Sequence, residues 1–350
     1  MQFLHLIIMT RLPANPSPTS ADLIRSALAG RDVSAPGAAL RFLVDAGLDR
    51  LPLPGSGETI ERWRALAAVG AHDLSLAKLV EGHTDALAVL AEARIADVEE
   101  GSLWGIWCAE PPDARLALRA AADGGYLLDG RKAWCSGAHA VTHAVVSCWN
   151  QDGEAMLAAL DLRQHGVRVS DEGWQAVGMA ATRSVDVHFD GARAQVVGGP
   201  GFYVGRPGFW HGGAGVAACW FGAAGRLADL LRERLARQPD PHRLAQLGAV
   251  AVALQSTAAL MREAAAAIDR APHADAMGAA LSVRLGVEAV CTQTLDLVGR
   301  ALGAGPLCKD AALARLFADL PVYLRQSHAE RDQEALGRLA ASAESAPWML

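Results

Sequence analysis

Two histidines raise the first chemical possibility. His83 stands in a strongly apolar helical stretch, and His328 in Arg325-Gln-Ser-His-Ala-Glu-Arg-Asp, a segment dense in ionisable side chains. An imidazole titrates near neutral pH, so either residue could move a proton during a reaction. Each reads equally well as a residue at a helix surface or core edge, with Arg325, Glu330, Arg331 and Asp332 forming a solvated face of i,i+4 pairs. The six cysteines (Cys108, Cys135, Cys148, Cys219, Cys291, Cys308) are scattered, with no C-x-x-C pair and no histidine at zinc spacing. That argues against a metal site or a disulfide framework and points to a reducing cytoplasm. Gly213-x-Gly215 has the outline of a dinucleotide fingerprint but follows no strand of a βαβ unit, so it reads as a flexible entry to a helix. Neither G-x-S-x-G nor a Walker sequence is present.

The elements that must position these residues fall into three regions. From Ala21 to about Glu100 the apolar residues recur at helical spacing. Pro36 sits in the first turn of a short helix, Ser56 or Gly57 is placed to cap the next, and Asp73 the one after. From Gly101 to about Gly199, short β-prone runs alternate with turns. Asp152-Gly153 closes a hairpin between Val145–Trp149 and Ala155–Leu160. From Gly215 onward four long helices are expected, roughly 215–236, 241–268, 274–302 and 310–340, joined by short loops as an up-and-down bundle. The fold class is therefore α+β, mostly α. A helical domain (1–100) precedes a small antiparallel β-barrel domain (101–204) and a C-terminal four-helix bundle (205–350).

Composition sets outer limits. In 350 residues, 51% are hydrophobic and 20% charged, so a large core is possible. A net charge of −6 offers no positive field to attract nucleic acid. No uninterrupted apolar run reaches the roughly 20 residues that span a bilayer, so no membrane span is expected. Met1 to Thr10 holds a short apolar run without a basic flank, read as a tail or an upstream start, with Met9 as an alternative initiator. Nine tryptophans stand out against 5% aromatics in total.

At this point the sequence resembles the acyl-CoA dehydrogenase superfamily of flavoproteins over most of its length. Cys108-Ala109-Glu110-Pro111 is similar to the family's Thr-Glu-Pro segment, with Ala109 where Thr is usual and without the Gly-rich stretch that follows. Gly130-Arg-Lys-Ala-Trp134-Cys135-Ser136-Gly137 is similar to Gly-x-Lys-x-Trp-Ile-Thr/Ser. Gly178, Ser184, Val187 and Phe189 match the spacing of a late barrel strand, with Gly178 read as a turn. The resemblance implies FAD bound by Cys108, Ala109, Trp134, Cys135 and Ser136. The Ser136 hydroxyl would donate toward flavin N5, and Trp107 would lie near the ring and Trp210 near the substrate entry. Gly303, in Leu302-Gly303-Ala-Gly305, matches a turn that approaches a neighbouring subunit's cofactor, which implies a homodimer or homotetramer; it reads equally as a helix C-cap.

A dehydrogenase of this family needs a carboxylate to take the α-proton of an acyl thioester, carried by CoA or a carrier protein, and passes electrons to an electron-transfer flavoprotein or oxygen. The two positions that usually hold it fall on Ser327 and near Gly215, neither a carboxylate. A one-turn shift brings in Glu330. In flavin monooxygenases of the superfamily, histidines at places similar to His83 and His328 lie near the flavin. The resemblance thus implies an FAD-dependent acyl-thioester oxidoreductase. The alternatives are a monooxygenase or oxidase using His83 and His328, or an idle flavin-binding relative.

Overall fold

The structure, a computed structural model, describes residues 18–346 and 348–349; the Met1–Thr10 run and Met9 lie outside them. Among the described residues four helices come first: α1 (Ser20–Leu28), α2 (Pro36–Asp45), α3 (Thr59–His72) and α4 (Leu74–Glu92). Thr19 and Asp22 form a capping box at α1. Asp73 caps α4 by accepting from the Leu76 amide at 2.8 Å. The cap expected from Ser56 or Gly57 is supplied instead by a distant carboxylate. Asp269 accepts from the Gly57 amide (3.1 Å), the Thr59 amide (3.0 Å) and the Thr59 hydroxyl (2.6 Å). Helix α4 is buried along 15 of its 19 residues and serves as the central post of the molecule.

Seven strands follow: β1 (Trp104–Trp107), β2 (Leu116–Ala120), β3 (Tyr126–Cys135), β4 (His143–Trp149), β5 (Ala155–Asp161), β6 (Val167–Val169) and β7 (Val185–Val196). The order β4-β2-β3-β7-β5 closes on itself through β4–β5, with β1 added on β4 and β6 on β7. Closure leaves few free edges, which suits a small barrel. The pairings are antiparallel except β1–β4 and β2–β4, which are parallel.

The remaining helices are α5 (Phe202–Gly205), α6 (Gly208–Arg237), α7 (Pro241–Arg270), α8 (Met277–Leu302), α9 (Ala304–Lys309), α10 (Ala311–Tyr323) and α11 (Glu330–Ser342). The expected fourth bundle helix is broken between α10 and α11, where Ser327 is extended and Ala329 takes φ 45°. Helix α6 starts seven residues earlier than expected, so the Gly213-x-Gly215 segment is helical, not a flexible entry. Packing overrides the poor helix propensity of glycine here. A Cβ at Gly212 would stand 2.6 Å from Asp85 Oδ1, and one at Gly222 would stand 2.0 Å from the Ala67 carbonyl oxygen of α3. Gly178 is likewise a close-approach residue, with no positive φ. A Cβ there would meet the Ala318 carbonyl oxygen of α10 at 2.1 Å.

Helices α6 and α7 are each long and apolar enough, by length and composition, to cross a membrane, although polar residues interrupt both. Most of α6's apolar stretch is buried inside the protein, whereas most of α7's lies at the bundle surface.

Candidate active site

The barrel presents its chemistry at the end of β3. Lys132 is fully buried, and its ammonium donates to Glu110 Oε1 (2.6 Å), the Ser147 hydroxyl (2.6 Å) and the Ser147 carbonyl (3.1 Å). Trp149 Nε1 donates to the other Glu110 oxygen at 2.9 Å. Lys132 thus ties the β3 motif to the Cys108–Pro111 segment. Burial acts to raise the Glu110 carboxyl, but these hydrogen bonds outweigh it and hold the group below its ordinary 4.5.

A bulge in β3 between Lys132 and Cys135 then decides which side chains face out. Trp134 and Ser136 line a large cavity, while Cys135 points into the barrel core with no exposure. Trp134 adopts φ 58° and leaves half of its surface exposed. A non-glycine residue in that region carries strain, and such strain clusters at functional sites. Behind it, Trp107 Nε1 donates to the Ser136 carbonyl (3.1 Å) and fixes the turn. Trp107 is buried beneath the cavity wall and does not line it, contrary to expectation.

The opposite wall is one face of α4. Lys78, Glu81 and Asp85 recur at three and four residues and all line the cavity. Lys78 and Glu81 pair at 2.7 Å. Burial would lower the Lys78 ammonium, but Glu81 outweighs it, so the shift is upward. Asp85 is 8% exposed, its Oδ1 has no hydrogen-bond partner, and burial raises its carboxyl against the pull of Arg206, Arg62 and Lys78. Arg206 is held by Glu92 (2.8 Å). Arg284 is held by the carbonyls of Gly213 and Gln326 (2.7 Å each). Tyr323 closes this end, with its hydroxyl unpartnered. Asp319, on the same helix, accepts from the Met179 amide (2.5 Å) and so locks the barrel loop 178–184 to the bundle.

The expected site residues separate accordingly. Cys108, Ala109, Trp134, Ser136 and His328 come together on the cavity wall. His83 does not join them. It is completely buried on another face of α4, where its Nδ1 accepts from the Trp104 amide (3.1 Å), which leaves the proton on Nε2 for Asp49 (3.2 Å). Nδ1 thus docks β1 onto the helix, and Nε2 ties the helix to the segment after α2. Glu330 is exposed at the start of α11 and outside the cavity, whereas Asp332 lines it and accepts from the His328 amide (3.1 Å). Gly303 is the C-cap of α8, with open space around it and no place on the cavity. Trp210 lines the cavity. Sequence reading missed Trp149, Trp174, Lys78, Glu81 and Asp85. The three α4 residues were recoverable: ionisable groups at three- and four-residue spacing inside an otherwise apolar helix require a polar cavity or mutual pairing.

The cavity encloses about 1270 Å³ between barrel, α4 and bundle. That exceeds the roughly 300–1,000 Å³ usual for a single small-molecule pocket. No protein-family profile matches this sequence, and no curated protein matches it either. Solved structures do match. FMN-bound TdsC from Paenibacillus sp. A11-2, a dibenzothiophene monooxygenase, superposes with a TM-score of 0.78 at 18% identity, over 94% of this chain and 97% of that one. KijD3 in complex with dTDP gives 0.78 at 21% identity over 94% and 98%. The methanesulfinate monooxygenase MsuC from Pseudomonas fluorescens gives 0.75 at 19% over 94% and 97%. The chain has the acyl-CoA dehydrogenase fold. Within that fold, the motif at Gly130–Gly137 and the segment Cys108–Pro111 meet through Lys132 and Glu110 at the cavity edge.

Proposed function

We propose that this protein is a flavin-dependent oxidoreductase, and that within that class it is an oxygenase acting on a polar substrate, not an acyl-thioester dehydrogenase. The observation that carries the reading is the row Lys78, Glu81 and Asp85 on the cavity wall. A saturated acyl chain offers nothing to those groups, and desolvating them against it is costly. Neither Ser327 nor Gly215 supplies the carboxylate a thioester dehydrogenase needs there.

The residues present fit a flavin. Trp134 offers a strained, half-exposed aromatic surface for a flat ring, Ser136 offers a hydroxyl beside it, and the cavity has room for cofactor and substrate together. Bound there, the flavin would supply two-electron redox chemistry and, when reduced, reaction with dioxygen. Trp134 orients the ring and the α4 row binds the substrate's polar groups. His328, 58% exposed at its side chain and backed by Asp332, carries protons between cavity and solvent. The resemblance implies FAD, while TdsC and KijD3 have been solved with FMN; the isoalloxazine is common to both. A homodimer or homotetramer, with the exposed apolar face of α7 at its interface, belongs to the same proposal.

Absorbance titration of the purified protein with FMN and with FAD tests the cofactor; no binding of either sinks the reading. Anaerobic incubation of the flavin-loaded protein with an acyl-CoA panel tests the reaction. Unbleached flavin, together with oxygen insertion when reduced flavin and oxygen are supplied, supports the oxygenase. Bleaching by an acyl-CoA overturns it in favour of a dehydrogenase.

A further inference from the structure

The Ser136 hydroxyl belongs to a chain of three. Ser136 Oγ lies 2.7 Å from Ser184 Oγ, Ser184 Oγ lies 2.8 Å from Thr182 Oγ1, and Thr182 Oγ1 lies 2.7 Å from the Met179 carbonyl oxygen. Each hydroxyl has one proton to give, and a carbonyl oxygen can only accept. The Met179 carbonyl therefore sets the polarity of the whole chain. Thr182 donates to it, Ser184 donates to Thr182, and Ser136 donates to Ser184. The reverse order would place two oxygens 2.7 Å apart at Met179 with no proton between them. Ser184 and Thr182 are 3% and 2% exposed where they border the cavity. Nearby amides are also committed: Ser136 N–H to the Trp134 carbonyl (3.0 Å) and Gly137 N–H to the Thr182 carbonyl (2.8 Å).

The consequence at the cavity is that Ser136 presents lone pairs, not a proton. We infer that the Met179–Thr182–Ser184–Ser136 relay makes this point of the site an acceptor and thereby discriminates between the oxidation states of the bound flavin. This rests on the flavin reading above and on Ser136 facing the ring's N5, as the family resemblance implies. Oxidised N5 bears a lone pair and no proton, and reduced N5 bears N–H. The relay matches the reduced state and opposes the oxidised one, the reverse of the donor role expected of Ser136.

The test is the ratio of affinities for reduced and oxidised FMN, measured by fluorescence titration of oxidised FMN in air and of dithionite-reduced FMN without oxygen. Ser184→Ala removes the acceptor that holds the Ser136 proton. Thr182→Val, of nearly equal volume, removes the anchor, so that Ser184 can donate to Ser136 and release its proton to the cavity. Both variants should lower the reduced-over-oxidised ratio about fivefold, the equivalent of one ordinary hydrogen bond, chiefly by tighter binding of oxidised FMN. An unchanged or increased ratio in either variant with native circular dichroism overturns the relay while leaving flavin binding intact. Failure of the unmodified protein to bind FMN in either state removes the flavin reading itself, and the inference with it.

Discussion

Lys132→Met isolates the contact that joins the two barrel motifs. Methionine keeps most of the volume and removes the charge and three hydrogen bonds, two of them at 2.6 Å. Breaking a buried pair by deleting one partner costs about 3–5 kcal/mol. Here Glu110 keeps 29% of its side chain exposed and retains its bonds from Ser147 and Trp149, so it can rehydrate in part. The expected loss is therefore below that range, at about 2–3 kcal/mol by denaturant titration. A double-mutant cycle with Glu110→Gln should show a coupling of at least about 1 kcal/mol. The pH dependence follows from the depressed Glu110 carboxyl. A group whose folded value lies below its unfolded value stabilises above the unfolded value, and that stability fades as pH falls through the folded one. The unmodified protein should therefore lose stability faster than Glu110→Gln as pH drops below about 4.5. A Lys132→Met loss under about 1 kcal/mol, or a coupling near zero, would refute the claim that this pair fastens the site.

Three further outcomes follow from the packing. Gly222→Ala places a Cβ 2.0 Å from a backbone oxygen of α3 that cannot yield; it should cost about 3 kcal/mol, and an unchanged melting temperature would contradict the contact. Asp269→Ala strips the donated cap from α3 and should cost about 1–2 kcal/mol, so a neutral result in urea titration rejects that role. A thiol reagent should label Cys308 rapidly in the native protein, Cys108 on the cavity wall slowly because burial pushes its thiol up to about 12, and the other four only on unfolding; fast labelling of two or more native thiols counts against the packing.

The elements were legible because their signals are local. Asp73 announces α4, and Asp152-Gly153 announces the β4–β5 hairpin through short-range chemistry that tertiary structure left alone. The errors arose where distant groups intervene. Asp269 caps a helix more than 200 residues away, and Glu92 accepts from the Gly208 amide at the start of the glycine-rich helix α6. His83 was misplaced for a related reason. Its spacing fixes it on α4, but α4 is surrounded, and a buried helix has no outward face to signal which side meets the cavity. Trp134, Ser136 and Cys135 were found together, yet only the bulge that forms in β3 separates the two that face the cavity from the one that does not.

The α4 wall also bears on which substrates the cavity can hold. Lys78 and Glu81 satisfy each other, but Asp85 keeps an oxygen without a partner although it is almost wholly buried. Leaving such a group unsatisfied costs about 1–3 kcal/mol, and more if charged. That oxygen packs against Gly212 of α6, while the Asp85 side chain also borders the cavity, so a ligand donor reaching the carboxylate lowers the cost of burying it and an alkyl chain against it raises that cost. Discrimination by unpaired polar groups is far steeper than discrimination by a methylene, where each group is worth only about 1–3 kcal/mol. Asp85→Asn should therefore weaken binding of an amine- or hydroxyl-bearing substrate about tenfold or more and leave FMN affinity within about twofold, because Trp134 and Ser136 lie on the opposite wall. Equal losses for substrate and FMN in parallel titrations would mean that Asp85 holds the cavity together and does not select what enters it.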